Sequence, residues 1–204
     1  MEKVISYIDG FNLYFGLKDS GWQKYYWLDV QRMSKALLKS TQSLVCTKYF
    51  TAQIIVPPDK KKRQNTYLEA LGILSDFKIF YGRYQMNEFK CPNCNVEFKV
   101  PNEKKTDVNI ATELIFDAFN DNFDMAMIIS ADSDLAPPIL RIKEHFPEKR
   151  MLIVFPPNRF SFELTSIGVP IMKTIRRTVL KNSQFPDEII ASSGYTMRRP
   201  SQWG

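Results

Sequence analysis

Apolar positions along the chain switch between short β-branched runs and longer stretches with helical spacing. Val4 to Ile8 (VISYI) is a strand-like run closed by Asp9-Gly10. Leu28, Met33, Leu37 and Leu38 recur at loose helical spacing, and Asp29 suits the start of that helix. Leu44 to Val56 is rich in β-branched and aromatic residues and stops at Pro57-Pro58, which predicts a strand. Residues 59–76 open on a basic run and continue as a helix carrying Tyr67, Leu68, Leu71 and Leu74, and Lys78 to Tyr84 (KIFYGRY) predicts a further strand.

The polar stretch from about Gln85 to Lys105 shows neither period and reads as an irregular insert. Thr106 to Asn120 is the clearest helix: Ile110, Ala111, Leu114 and Ala118 fall on one face, and Thr106 fits an N-cap. Asp124 to Ser130 predicts a buried strand, and a helix over Pro137 to His145 follows, its prolines tolerated in the first turn. Met151 to Phe155 and Pro170 to Thr174 predict two more strands. Beyond them the chain is basic and aperiodic, a tail either flexible or laid over the body. Strands alternating with helices predict an α/β domain over residues 1–175 with a mostly parallel sheet and right-handed crossovers, followed by a basic tail over residues 176–204.

Composition sharpens this picture only a little. With 44% apolar residues and 15 Phe in 204 positions, the chain has the means to bury a substantial core, which excludes disorder throughout. A net charge of +6 suits a polyanionic partner but also suits many ordinary globular proteins. No apolar run approaches the roughly 18 residues of a membrane span, so no membrane association is expected. A strand-like start leaves no room for a signal peptide, and three cysteines do not make a disulfide framework. A reducing cytoplasm is the simplest compartment.

Candidate chemistry enters through topology. Asp9 ends the first strand, Asp132 and Asp134 in "SADSD" follow the Asp124–Ser130 strand, and Asp107 lies in the first turn of the Thr106 helix. In a parallel sheet these positions share one edge, the edge at which open α/β folds bind ligands. Taken singly, each aspartate is an ordinary loop or helix-start residue. Taken together, clustered carboxylates repel one another unless cations compensate them, and all-oxygen donors suit Mg2+ or Mn2+ better than zinc or copper. The matching chemistry is hydrolysis of a phosphodiester by metal-activated water. Asn12 is placed to orient a carboxylate, and Ser130 and Ser133 to donate hydrogen bonds that hold the Asp132–Asp134 pair.

Three blocks carry a family resemblance: "YIDGFNLYFGL" (residues 7–17), "KTDVNIATELIFDAF" (residues 105–119) and "MIISADSDLAPPI" (residues 127–139). In sequence and order they resemble the signature blocks of NYN domains, the LabA-like branch above all, within the PIN-like nuclease superfamily. The resemblance covers about residues 1 to 175. It implies a three-layer α/β/α sandwich, an acidic pocket for magnesium or manganese, and a role in cutting RNA. Asp9, Asp107, Asp132 and Asp134 match the family's acidic positions and Asn12 its first-block asparagine, while Ala131 stands where many relatives carry glycine.

Cys91 and Cys94 in "FKCPNCNVEFKV" have zinc-knuckle spacing but supply two ligands where a closed Zn2+ site needs four. Cys46 and the only histidine, His145, are the other soft candidates. Three readings stay open: zinc completed by those residues or by a second chain, a knuckle without metal, or a redox pair. Among basic residues, Lys60-Lys61-Lys62-Arg63 opens a helix, a poor place for cations with respect to the dipole, and reads either as a phosphate contact or as a solvated turn. Arg83 beside Tyr81 and Tyr84 offers phosphate contact and stacking for single-stranded RNA, and Arg176-Arg177 and Arg198-Arg199 extend the basic surface.

These observations converge on a divalent-metal-dependent nuclease, acting on single-stranded RNA rather than DNA, with Asp9, Asp107, Asp132 and Asp134 as pocket, Asn12 and Ser130 as support, and a homodimer as one assembly. The near-absence of histidine argues against histidine acid–base cleavage. The alternative is a catalytically silent RNA-binding or regulatory module of the same fold. A nucleotide-sugar transferase ranks last, because it gives Asp9 and Asp107 no shared role.

Overall fold

A parallel sheet between two layers of helices organises the computed structural model, which describes residues 1–203 and, for residues 98–102, the backbone alone. In chain order the elements are β1 (Glu2–Asp9), α1 (Gly10–Asp19), α2 (Val30–Ala36), β2 (Gln42–Thr51), α3 (Pro58–Gly72), β3 (Phe77–Tyr81), β4 (Arg83–Lys90), β5 (Glu97–Lys104) and α4 (Thr106–Phe119). There follow β6 (Met125–Ile129), α5 (Ala136–His145), β7 (Arg150–Val154), α6 (Phe162–Ser166), β8 (Ile171–Met172), α7 (Arg177–Asn182), β9 (Glu188–Ile190) and β10 (Thr196–Arg198). The central sheet has six strands in the order β3-β2-β1-β6-β7-β8. Every neighbouring pair in it is parallel. The chain builds outward from β1 to β3, returns, and builds outward again from β6 to β8. The winding therefore reverses between β1 and β6, and the C-terminal ends of these two strands flank the crevice.

Alternation along β1 assigns the two faces. Val4 and Ile8 pack with Leu13 and Leu17 of α1, Met33 of α2 and Leu71 of α3. Ile5 and Tyr7 pack with Ile110 and Leu114 of α4, Ile139 and Ile142 of α5, and Leu164 of α6. The result is the three-layer α/β/α sandwich that the strand–helix alternation and the family resemblance predict.

One buried polar network anchors α4 to the sheet. Tyr7 on β1 donates its hydroxyl to Asp117 on α4. Lys48 on β2 lies 2.5 Å from the same carboxylate and 2.7 Å from Glu113. Asn122 supplies a further donor at 2.9 Å. Burial works against the Lys48 charge, but the two carboxylates outweigh it and hold its pKa above the ordinary lysine value. These ties fix the rotation of α4, and with it the direction of its first turn.

Several expectations change. α1 lacks a clear apolar period, yet it forms, with the Asp9 carboxylate capping it by accepting from the Asn12 N–H at 2.9 Å. Gly10 and Gly16 obscure the helix in the sequence, but close packing requires them: a Cβ at Gly10 would lie 2.6 Å from the Tyr49 ring, and one at Gly16 2.5 Å from the Pro157 carbonyl oxygen. β2 ends at Thr51 rather than Val56, because the Gln64 side chain takes over the backbone, accepting from Ile54 N–H at 2.7 Å and donating to Ala52 O at 2.9 Å. The insert is not irregular: β4 and β5 form an antiparallel hairpin from Arg83↔Lys104 to Lys90↔Glu97. Thr106 is not the N-cap. Lys105 takes that position with φ 75°, while Thr106 starts the helix and its hydroxyl donates to Glu103.

The segment after Ile175 lies over the body. Leu180, Phe185, Ile189 and Met197 join the core on the α1 face. Trp27 Nε1 donates to the Pro186 carbonyl at 2.7 Å, and Asp29 N–H to Ser183 O at 2.8 Å.

Replacing Lys48 leaves Asp117 buried without its cation, and breaking such a pair from one side is costly. Lys48→Met is expected to destabilise the fold by about 3 kcal/mol, read as a lower urea midpoint at unchanged m-value.

Candidate functional site

Asp9 is the last residue of β1, Ser130 directly follows β6, and Asp132 lies two residues on. The parallel register running from Val4↔Met125 to Ile8↔Ile129 brings the two strand ends level. Ser130 and Asn12 then stitch them together. Ser130 Oγ donates to Asp9 Oδ2 at 2.9 Å and accepts the Asp132 N–H at 3.0 Å. Asn12 Oδ1 accepts the Ala131 N–H at 3.2 Å. Ser130 thus donates to Asp9 instead of to the Asp132–Asp134 pair, which it meets as acceptor of the Asp132 N–H. The pair holds itself: Asp132 Oδ1 caps the next turn by accepting the Asp134 N–H at 2.9 Å.

From the other face α4 delivers Asp107 in its first turn. One carboxylate oxygen from each of Asp9, Asp107 and Asp132 lies within 4.8 Å of the other two. Among the described residues this is the one group of three or more acidic, cysteine or histidine side chains close enough to share an ion. Asp134 is exposed at the rim, outside that triad, though its charge still reaches Asp107. Among the described residues no lysine or arginine pairs with any of the four aspartates.

The electrostatic consequence is clear at Asp9, only 5% exposed. Burial pushes its pKa to about 6 against the hydrogen bonds from Asn12 and Ser130, with Asp107 and Asp132 adding to the rise. Burial also raises Asp107, seconded by Asp132 and Asp134. A further carboxylate, Glu103 at the end of the β4–β5 hairpin, is raised to about 7 by burial and by Asp9, Asp107 and Asp132. Sequence reading missed Glu103. Its signal was available: it stands just ahead of a helix that begins at the acidic edge, four positions before Asp107.

The donor set fits a hard divalent ion. It is all oxygen, mutually repulsive and free of internal counter-cations, and its members are fixed by backbone and hydroxyl donors.

The predicted basic residues do not form a single patch. Lys60, Lys61 and Lys62 are exposed on the first turn of α3, and Arg63 pairs with Asp59 at 2.8 Å. Arg83 and half-buried Tyr84 start β4, with Tyr84 registered opposite Glu103. Tyr81 is 49% exposed at the end of β3. Arg177 bonds the Tyr25 hydroxyl at 3.1 Å and lies over Trp22. Arg199 holds the C-terminal segment, donating to Lys24 O at 2.7 Å and to the Trp203 carbonyl. Arg198 pairs with Glu188 at 3.0 Å.

Cys91 and Cys94 occupy the tip of the β4–β5 hairpin, where Asn95 N–H donates to Cys91 O at 2.9 Å. Hydrogen bonds from the Cys94 and Asn93 backbone lower the Cys91 pKa. Among the described residues neither Cys46, half-buried on β2, nor His145, at the end of α5, joins them in a metal-sized cluster.

An aromatic cavity of about 320 Å³ borders the acidic edge on the α1 face, between α1, α3 and the C-terminal segment. The cavity itself was not foreseen in the sequence, because its lining joins the first block, α3 and the C-terminal segment, which lie far apart along the chain.

Comparison with known proteins gives three findings. A 6-hydroxy-3-succinoylpyridine 3-monooxygenase from Pseudomonas putida is 30% identical over 188 residues, covering 74% of this chain. The chain spans 58% of that protein's length. A crystal structure of a Vibrio parahaemolyticus protein of unknown function matches with a TM-score of 0.54 at 17% identity, over 86% of this chain and 94% of the other, a likeness of fold. The NYN domain model matches residues 3–166, which include Asp9, Asp107, Asp132 and the strand ends that carry them. The chain belongs to the NYN domain family.

Proposed function

We propose that the protein is a divalent-cation-dependent nuclease of the LabA-like branch that hydrolyses single-stranded RNA. The observation that carries this reading is the convergence of Asp9, Asp107 and Asp132 at the sheet's switch point without a compensating cation. These three would hold Mg2+ or Mn2+, with Asp134 at the rim and Glu103 facing the cluster. When bound, such an ion supplies activation of water and charge stabilisation on the leaving oxygen of a phosphodiester. The chain's own part is positional. Asn12 and Ser130 fix both oxygens of Asp9, Ser130 also fixes the backbone ahead of Asp132, and the Asp117–Lys48 network aims Asp107.

Within this reading the protein works in the cytoplasm, and a second copy would complete a zinc site at Cys91 and Cys94, which supply two of the four ligands needed. No helix among the described residues is long and apolar enough to cross a membrane.

A second reading rests on the 30% identical relative, whose name gives it a hydroxypyridine substrate. It would make a small planar ring the substrate and the aromatic cavity its site.

Two measurements test the first reading. Labelled single-stranded RNA with manganese should be cleaved by the wild type, with Asp9→Asn, Asp107→Asn and Asp132→Asn each slower by roughly two orders of magnitude and Asp134→Asn less affected. Absent cleavage, or equal cleavage by wild type and Asp132→Asn, would establish the silent binding module instead.

Thermal melts address the cation directly. The folded pKa of Asp9 is about 6, above its ordinary 3.8, so its favourable contribution is complete below about pH 4 and is lost as pH rises through 6. In chelator the melting temperature should fall across that window, and Asp9→Asn should flatten the fall. Added manganese should raise the melting temperature more at pH 7.5 than at pH 5 in the wild type, by on the order of a few degrees. An equal rise in Asp9→Asn would remove Asp9 from the ion's ligands.

A further inference from the structure

The cavity beside the acidic cluster has a composition that core packing alone does not require. Tyr14, Tyr26, Tyr67 and Trp203 supply its walls, and its volume of about 320 Å³ falls at the small end of ligand sites. Trp203 meets Tyr26 at 5.6 Å and 88°, and Tyr67 at 6.0 Å and 81°. Tyr14 and Tyr26 lie closer to parallel, at 4.9 Å and 38°, so the four rings brace one another around the open volume.

Its rim is cationic. Lys18 on α1 and Lys60 on α3 are exposed there, and Arg63 reaches it from its pair with Asp59. Arg63 and Gln202 also line a neighbouring cleft of about 280 Å³ that adds Lys62, together with Asp59, paired with Arg63, and Arg198, paired with Glu188. On the opposite side the cavity adjoins the aspartates. Gly10, which lines it, directly follows Asp9, and Tyr49, another lining residue, has a hydroxyl that burial and the charges of Asp9 and Glu103 hold in its protonated form.

Rings, then cations on one side and a carboxylate cluster on the other, match one ligand chemistry: a planar base joined to a phosphodiester chain. An acyl chain would use the walls and leave the cations idle. An acidic peptide would use the cations and leave both the rings and the aspartates without a role.

We propose that this cavity is a base-binding subsite, in which one unpaired nucleobase of a single-stranded RNA inserts among Tyr14, Tyr26, Tyr67 and Trp203. Lys18, Lys60 and Arg63 hold the flanking phosphates while the neighbouring linkage lies at the aspartates. The subsite selects single strands, because a base held in a stack or a pair cannot enter. It also gives the C-terminal segment a task, since Trp203 and Gln202 close the cavity wall. This inference rests on the nucleic-acid reading above, but its test requires no turnover.

Fluorescence anisotropy in chelator would compare a short labelled single-stranded RNA with an abasic strand of the same length and charge. The wild type should bind the base-containing strand about tenfold more tightly. Trp203→Leu, which removes a wall, and Ile54→Trp, which fills the cavity from its lining, should each bring the first affinity down to the second and leave the abasic strand unchanged. Melting curves confirm that each variant folds, and if one does not, the other variant and the abasic comparison still decide. Equal affinity of the wild type for both strands would overturn the proposal, as would an unchanged ratio in both variants. Displacement of the RNA by nicotinate but not by uridine or adenosine monophosphate would overturn it in favour of a small pyridine ligand. Base-dependent binding without manganese-dependent cleavage would sink the nuclease reading and leave this one standing; cleavage without base preference would do the reverse.

Discussion

Three carboxylates held within 4.8 Å of one another, with no lysine or arginine among the described residues paired to them, repel, and a free chain would not gather them. Much of the fold around the sheet edge serves to impose that arrangement. Parallel pairing of β1 with β6 sets two strand ends level, and bonds through Ser130 and Asn12 lock the turns that leave them. The third carboxylate arrives on a separate helix, whose rotation is fixed more than two turns away by Lys48 and Tyr7 on Asp117. Neutral donors, the Asn12 N–H and the Ser130 hydroxyl, stabilise Asp9 where a cation would normally do so. A structural ion pair at that place would have satisfied the charge and closed the site.

What the sequence disclosed follows from the range over which each signal acts. Strands such as VISYI and MAMII announce themselves locally, because both of their faces are buried and their residues are apolar or β-branched. The aspartates were legible because topology alone puts strand ends and helix starts on one edge. α1 was not, since its glycines weaken the helical signal, and the reason for them lies in β2 and in Pro157, far along the chain. Glu103 escaped for a related reason. It ends a stretch that reads as polar and aperiodic, and its closeness to the cluster exists only once that stretch folds into a hairpin returning to the acidic edge.

The tail shows the same limit from the other direction. Its basic, aperiodic composition does not decide between a flexible tail and one laid over the body, and its isolated apolar residues, Leu180, Phe185, Ile189 and Met197, each find a place on the α1 face. Arg199 illustrates how charge counting misleads: as part of a basic pair it resembles a phosphate contact, but its guanidinium is spent on two backbone carbonyls and Asp187. A net charge of +6 is therefore less informative than the subset of cations left at a rim.

That subset and the acidic cluster act on a polyanion in opposite senses. Without an ion, Asp9, Asp107, Asp132 and Asp134 repel a phosphate, while Lys18, Lys60 and Arg63 attract one a short distance away. On the nuclease reading the strand is thus drawn first to the aromatic cavity and its cations, and approaches the aspartates only when a divalent ion has reversed their sign. Ion and strand must then bind with positive coupling, each raising the affinity for the other by the same factor, because linkage between binding sites is reciprocal. On the same reading the cavity would carry the part of the affinity that does not depend on the ion. Separating the two terms in this way would let a nuclease of this design hold a single strand at the sheet edge while cleavage stays conditional on the cation.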